Sequence, residues 1–289
     1  IFLVFVGVYF YYNKQDAKNS LTVTEKQWVE ENKSNIVDFE IINDYPLYGM
    51  NGEGVFFKFI DDFEQDVGLE FNKTSYLKED EPKSPSFRFQ ILNNDESLTK
   101  NDLLLFTDGY VAIGKEYQRI NYISDMNNLT LGVFTSDAAE LSYYLKAGSN
   151  LVYKTYDDIS SLFEALDQDE VNMIIIPHIM YLDHTISSTD YSINYYFTEM
   201  KKQVVLTLSD ENDKLNTIIE KYFEKWKNSR YVDEYNQAYL DYYVKENDIN
   251  AKTKADLISK NYVYGYVENI PYEVEVDGKI AGIAGEYIN

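Results

Sequence analysis

"LTLGVFTSDAAELSYYLKAG", residues 129–148, is the stretch that decides the fold. It reads as a short apolar strand, a polar turn and a helix, with Ser136 as helix N-cap and Gly148 as stop. After it come the strand "NLVYKTY" (150–156), the helix "DDISSLFEALDQDE" (157–170) capped by Asp157 or Asp158, and the buried strand "VNMIIIP" (171–177). This is a βαβ block that starts at Leu131. An equivalent block precedes it. "IVDFEII" (36–42) is a strand and "NDYPLYGMNGEG" (43–54) a loop dense in Asn, Gly and Pro. "VFFKFIDDFEQDVG" (55–68) has Val55, Phe56, Phe59, Ile60 and Phe63 at helical spacing, with Gly68 as its cap, and "LEFNKTSYL" (69–77) is the next strand.

Strands alternating with short helices imply parallel sheet covered on both faces. Between the blocks lie the charged loop "KEDEPKSPS" (78–86), the strand "FRFQIL" (87–92) and the apolar run "LLLFTDGYVAIG" (103–114), whose crossing is expected near Tyr110–Ile113. "YSINYYFT" (191–198) and "KQVVLTLS" (202–209) read as two more strands. Helices follow over 212–228 and from Val232 to about Asn247, and "LTVTEKQWVEENK" (21–33) is a short helix capped by Thr22 or Thr24. The order describes an α/β fold of two lobes joined by two crossovers, with a cleft lined by strand ends and helix N-termini. One unbroken sheet through Val111–Val205 that left no groove would contradict it.

The 289 residues carry 49 acidic and 26 basic side chains, a net charge of −23, which repels phosphate backbones and excludes nucleic acid as a partner. No cysteine is present, so disulfides, thiolate metal sites and a thioether-linked lipid are excluded. Tyrosine is abundant, with 28 copies suited to clefts and interfaces as well as cores. The first residues, "IFLVFVGVYFYY", are apolar up to Tyr12. They are too few to cross a bilayer, which takes about 20. Their aromatic exit into "NKQDAKNS" reads as the end of a longer membrane span, with a signal sequence or a core strand as alternatives.

Five segments in this order resemble the family 3 bacterial extracellular solute-binding proteins, of the type II periplasmic-binding-protein (Venus flytrap) fold and of the kind found in tandem in membrane sensors. They are "DYPLYGMNGEGVFFKFIDDF", "LTLGVFTSDAAELSYYL", "YDDISSLFEALDQDEVNMIII", "VVLTLSDENDKLNTIIEKYFEKW" and the prefix "LTVTEKQWVEENKSNIVDFEI". The resemblance implies residues 1–20 as the end of an anchor and linker, and 21–250 as a solute-binding domain. Lobe 1 would be 21–110 with 206–250, and lobe 2 would be 111–205. Aligning Pro46 with Pro271 and Gly54-Val55 with Gly282-Ile283 makes 251–289 a linker and the truncated start of a second such domain.

What the resemblance implies for function is an extracytoplasmic, membrane-tethered sensor module that binds a small polar solute and signals by lobe closure. The alternatives are the binding receptor of an ABC transporter and an enzyme of the same fold, such as a dehydratase. A homodimer is compatible with either binding role. Expected ligand contacts are Tyr45 and Tyr48 by stacking, Asp95, Lys100 and Thr107 from lobe 1, and Thr135 and Ser136 at a helix N-terminus. Two departures count against an ordinary amino-acid ligand. Lys100, six residues before Phe106, stands where the family carries an Arg, and a point charge does not replace a guanidinium fork. Ile176 and Pro177 stand where an acidic residue would hold the ligand's amine.

No set of residues reads as catalytic, and no cofactor is expected. His178 and His184 lie six apart, which does not put them on one helical face for a metal. Asp61-Asp62 and Asp157-Asp158 read as solvated faces and helix caps. "GEG" at 52–54 lacks the Lys-Ser/Thr of a phosphate loop, and "NKT" at Asn72 and "NLT" at Asn128 match glycosylation acceptors only as short patterns.

Overall fold

In this computed structural model the described residues are 21–43, 45–77, 87–93, 96–145, 151–186, 188, 190–260, 265, 274–276 and 279–281. The chain divides into two compact units, Ile1–Asn247 and Asp248–Asn289. In the second, a helix over Ala251–Ser259 and a two-stranded antiparallel ribbon of Val274–Val276 with Lys279–Ala281 are described. Pro271 and the Gly282-Ile283 pair lie outside the described residues, as does the apolar run at Ile1–Tyr12. Among the described residues no helix is long and apolar enough to cross a membrane.

In the first unit the order is α1 (Val23–Asn32), β1 (Val37–Ile42), α2 (Val55–Val67), β2 (Phe71–Tyr76), β3 (Phe87–Asn93) and β4 (Asp102–Gly114). It continues with β5 (Thr130–Phe134), α3 (Ala138–Leu145), β6 (Val152–Tyr156), α4 (Ile159–Asp167), β7 (Met173–Pro177) and α5 (His178–Thr185). The last elements are β8 (Ser192–Thr207), α6 (Asp213–Ser229) and α7 (Tyr231–Glu246). Several local signals act where expected, and Asn212, read only as a helix start, proves to be a cap. Thr22 closes a capping box with Glu25, Asp158 caps α4 through the Ser161 N–H, Asn212 caps α6, and Gly68 ends α2 in the left-handed region at φ 90°. The loop into α2 is tight: at Gly54, φ 116°, a Cβ would lie 2.6 Å from the Leu47 carbonyl oxygen.

Both βαβ blocks are parallel, with β1 against β2 and β3, and β5 against β6 and β7. The expected pair of separate sheets is not what forms. All eight strands make one sheet, ordered β2-β1-β3-β8-β4-β7-β5-β6. The segments 191–198 and 202–209, read as two strands, form the single 16-residue strand β8, antiparallel to β4 along its length.

The lobes are nonetheless distinct. At their boundary the ladder slips: Gly109 pairs with Lys201 but Tyr110 with Phe197, so residues 198–200 of β8 face no partner on β4. The core is likewise divided. Lobe 1 buries one aromatic-rich cluster of β1, α2, β3, α6 and the loop over Tyr45–Tyr48. Lobe 2 buries two smaller clusters containing Tyr110, Ala112, Leu131 and Val133 in one, and Val111, Ile113, Leu162 and Ile174 in the other. Tyr110–Ile113 alternates between those two clusters, which is the period of a strand buried on both faces. The two cores depart from the expected lobe boundaries at three places. Tyr110, expected in lobe 1, is buried in a lobe 2 cluster, and Val204, expected in lobe 2, is buried in the lobe 1 cluster, so the division runs at the ladder slip. α5, which sequence periodicity did not reveal, follows β7 of lobe 2 but buries Ile179 in the lobe 1 cluster.

Candidate binding seam between the lobes

The ladder brings β3, β4 and β8 to the boundary at one level: Asn93 pairs with Lys202, and Lys202 with Asp108. Lobe 2 meets this level with the turn before α3 and the first turn of α5. The groups gathered there are Asn93, Asp108, Tyr110, Asp137, His178 and Lys202.

Lys202 lies at the centre. Its side chain is 2% exposed, and its Nζ donates to Asn93 Oδ1 at 2.6 Å and to Asp137 Oδ1 at 3.0 Å. The Asp137 side chain is 4% exposed and also accepts from the Tyr110 hydroxyl at 2.8 Å and from the Ser136 hydroxyl at 3.1 Å. The ammonium stands 5.4 Å from the centre of the Tyr110 ring, within cation–π range. Burial and the neighbouring Asp137 carboxylate push the Tyr110 phenol well above its ordinary range, so its hydroxyl serves as a donor. Thus a charge-assisted chain runs from β3 of lobe 1 to α3 of lobe 2.

Asp108, one residue before the slip, has a different environment. It is 7% exposed, and its carboxyl accepts one hydrogen bond from the Ile179 N–H at 2.8 Å, in the first turn of α5. Among the described residues the one basic group within 4 Å is His178, its Nδ1 at 3.9 Å, and burial lowers the pKa of that imidazole, which favours its neutral form. Desolvation pushes the Asp108 carboxyl up to about 7, against the pull of the Ile179 hydrogen bond. A carboxyl held this way changes charge near neutrality.

The expected contact residues are scattered relative to this seam. Thr135 and Ser136 are exposed in the turn beside Asp137, and Thr107 is exposed on β4 next to Asp108. Ser136 is not the helix cap: α3 begins at Ala138, and the Asp137 carbonyl accepts from the Leu141 N–H. Tyr45 and Tyr48, each 4% exposed, belong to the lobe 1 core. Tyr48 stacks on Phe106 and shares a hydrogen bond between phenols with Tyr231. Those rings pack inward because the turn into α2 folds back on β1, where a Cβ at Gly49 would clash with the Ile42 carbonyl oxygen. Lys100 lies in the turn before β4, eight residues before Asp108 and about 25 Å along an extended chain. Asp95 lies outside the described residues. Asp62, expected on a solvated face, instead accepts from the Trp226 indole at 2.8 Å and pairs with Arg230 at 3.4 Å.

Of the seam residues, Lys202 had a legible signal. It falls in phase with Val204 and Leu206 along β8, so strand alternation turns its ammonium inward. Asp137 had none, because its partner is 65 residues away. His184 stacks on Phe163 at 3.9 Å, and among the described residues no group of side chains could hold a metal ion. Two grooves lie elsewhere. One of about 550 Å3 runs between Met50, Phe57 and Lys58 on one side and Ala238 and Tyr242 on the other, and one of about 400 Å3 is walled by Tyr122, Tyr144, Tyr195 and Phe197.

No protein-family model matches the chain, and no curated protein is similar enough in sequence to match it. Solved structures do match. The periplasmic domain of BvgS from Bordetella pertussis superposes with a TM-score of 0.55 at 12% identity, over 79% of this chain and 48% of that one. A double mutant of the BvgS VFT2 domain gives 0.53 at 11% identity, over 76% and 98%. The substrate-binding protein AbpA of an amino acid ABC transporter from Streptococcus pneumoniae, bound to L-arginine, gives 0.51 at 12%, over 75% and 99%. At such identities the likeness is one of fold, and it agrees with the two separately cored lobes and the paired crossing strands. The chain has the two-lobed α/β fold of the type II periplasmic binding proteins.

Proposed function

We propose that the first unit is a small-solute-binding domain that signals by lobe closure, as the extracytoplasmic input region of a membrane-anchored signalling protein. The observation that carries this reading is the seam: two separately cored lobes, joined by β4 and β8, meet across polar groups contributed by both. In this reading the lobes have an open and a closed packing, and a solute that prefers one shifts the balance. The likeness to BvgS supports the sensor reading, and that to AbpA supports the transport-receptor alternative. In this proposal Ile1–Tyr12 ends a membrane span and 251–289 opens a second binding domain.

The ligand is a small polar solute other than the common L-amino acids. Lys100 is far along β4 from the seam, and the Asp137 carboxylate already holds an ammonium. Thermal-shift and calorimetric titration of the full chain against a panel of small solutes tests this. A polar solute that raises Tm and contracts the scattering profile is the expected result. A panel without any such solute sinks the binding reading. Tight binding of a common L-amino acid, lost in Lys100→Ala, sinks the ligand assignment alone.

A further inference from the structure

The Lys202 ammonium is withdrawn from water between the lobes, which is costly unless its partners compensate. Its partners divide by lobe. Asn93 ends β3 in lobe 1, Lys202 sits on the lobe 1 side of the β8 slip, and Asp137 immediately precedes α3 in lobe 2. Separating the lobes therefore breaks the 3.0 Å contact to Asp137, while the 2.6 Å contact to Asn93 lies within lobe 1 and survives. The ion pair spans the boundary, with Asn93 on its lobe 1 side and Tyr110 of a lobe 2 core on the other. Its geometry acts on the relative position of the lobes.

We propose that Lys202 is the resident occupant of the seam: its ammonium, held by Asn93 and bonded across to Asp137, latches the lobes together with no solute bound. The latch stands on geometry alone. Its consequence for regulation rests on the solute-binding reading: a solute entering the seam competes with an intramolecular cation for Asp137. The unliganded domain is then the closed one, and the signal is release of the latch. Tyr110 holds the Asp137 carboxylate in place from the other side, so the lobe 2 half of the latch stays oriented when the lobes part.

The test uses the full chain without added solute, as wild type, Lys202→Met and the milder Asp137→Asn, followed by small-angle scattering and hydrogen exchange. Met keeps the apolar stem and removes the charge. The expected result is a compact wild type, and variants with a larger radius of gyration. Exchange at residues 135–141 should be faster by on the order of a hundredfold, while α2 and α6 keep their protection. If Lys202→Met does not fold, Asp137→Asn carries the same readouts. Unchanged radius and exchange in a folded variant overturn the latch, as does acceleration spread evenly through lobe 1. A wild type that is already open, and closes on a solute, overturns the latch and leaves the solute-binding reading standing. Variants that open although no solute binds any of the proteins leave the latch standing without that reading.

Discussion

Lobe 1 and lobe 2 use the same βαβ plan but fill it differently. In lobe 1 a single cluster of aromatic rings carries the packing. Phe59 alone meets Phe63, Phe89, Tyr222, Phe223 and Trp226, with ring centres 5.2 to 6.4 Å apart. Lobe 2 has two smaller clusters built largely from Val, Ile, Leu and Met, and Gly132 leaves room for Leu162 and Ile174 to close over β5. Large interlocked rings make one body that tolerates little rearrangement. Two thinner cores divided by the sheet make a body that opens locally at lower cost. Lobe 1 is therefore the fixed reference of the molecule. In the proposed closure, lobe 2 is the part that moves.

The sharpest way to break this contrast is in lobe 1. Phe59→Ala should cost about 4 kcal/mol, read by urea denaturation, because it removes a ring that touches five others. A loss below about 1 kcal/mol would mean the cluster collapses around the gap and lobe 1 is not rigid.

The next test lies at the seam. Asp108 is held near 7 in the folded chain, far above an unfolded aspartate, so the folded state binds more protons between about pH 4 and pH 7. Stability from this group is fully present below about pH 4 and is lost as pH rises from there through 7, by about 4 kcal/mol. Asp108→Asn keeps an acceptor for the Ile179 N–H and stays neutral. It should flatten the profile and raise stability at pH 8, measured by denaturation across pH. An unaltered profile would show that the carboxyl escapes to solvent when charged.

In lobe 2, Leu162→Ala should cost about 3 kcal/mol, since the side chain is fully buried over Gly132. Exchange should speed up in lobe 2 before it does in lobe 1. Equal acceleration in both lobes would dissolve the distinction between them. The smallest effect is at a cap. Asp158→Ala removes the bond to the Ser161 N–H and should cost about 1 kcal/mol, with faster exchange confined to the first turn of α4.

Much of the fold was legible because its signals are local. Helical spacing in 55–63, the caps at Thr22, Asp158 and Gly68, and the apolar runs of β1 and β7 each depend on neighbours within a turn or a strand. β8 was misread as two strands because residues 198–200 interrupt the apolar alternation, although the backbone continues through them. α5 was missed because "HIMYLDHT" follows a proline and splits its apolar side chains between both lobes. Tyr45 and Tyr48 were expected in the cleft because Tyr suits ligand contacts, and a ring packs in a core equally well.

The sequence by itself determined the fold class: two βαβ blocks in order, a return strand and closing helices. Tertiary structure alone decided the seam. Asn93, Asp137 and Lys202 are 44 or more residues apart, so no local pattern records that they meet or that the charges of Asp137 and Lys202 neutralise one another. Secondary structure follows from interactions within a few residues. Burial of a charge, and hence what the site can hold, follows from which distant strand ends the ladder brings to one level.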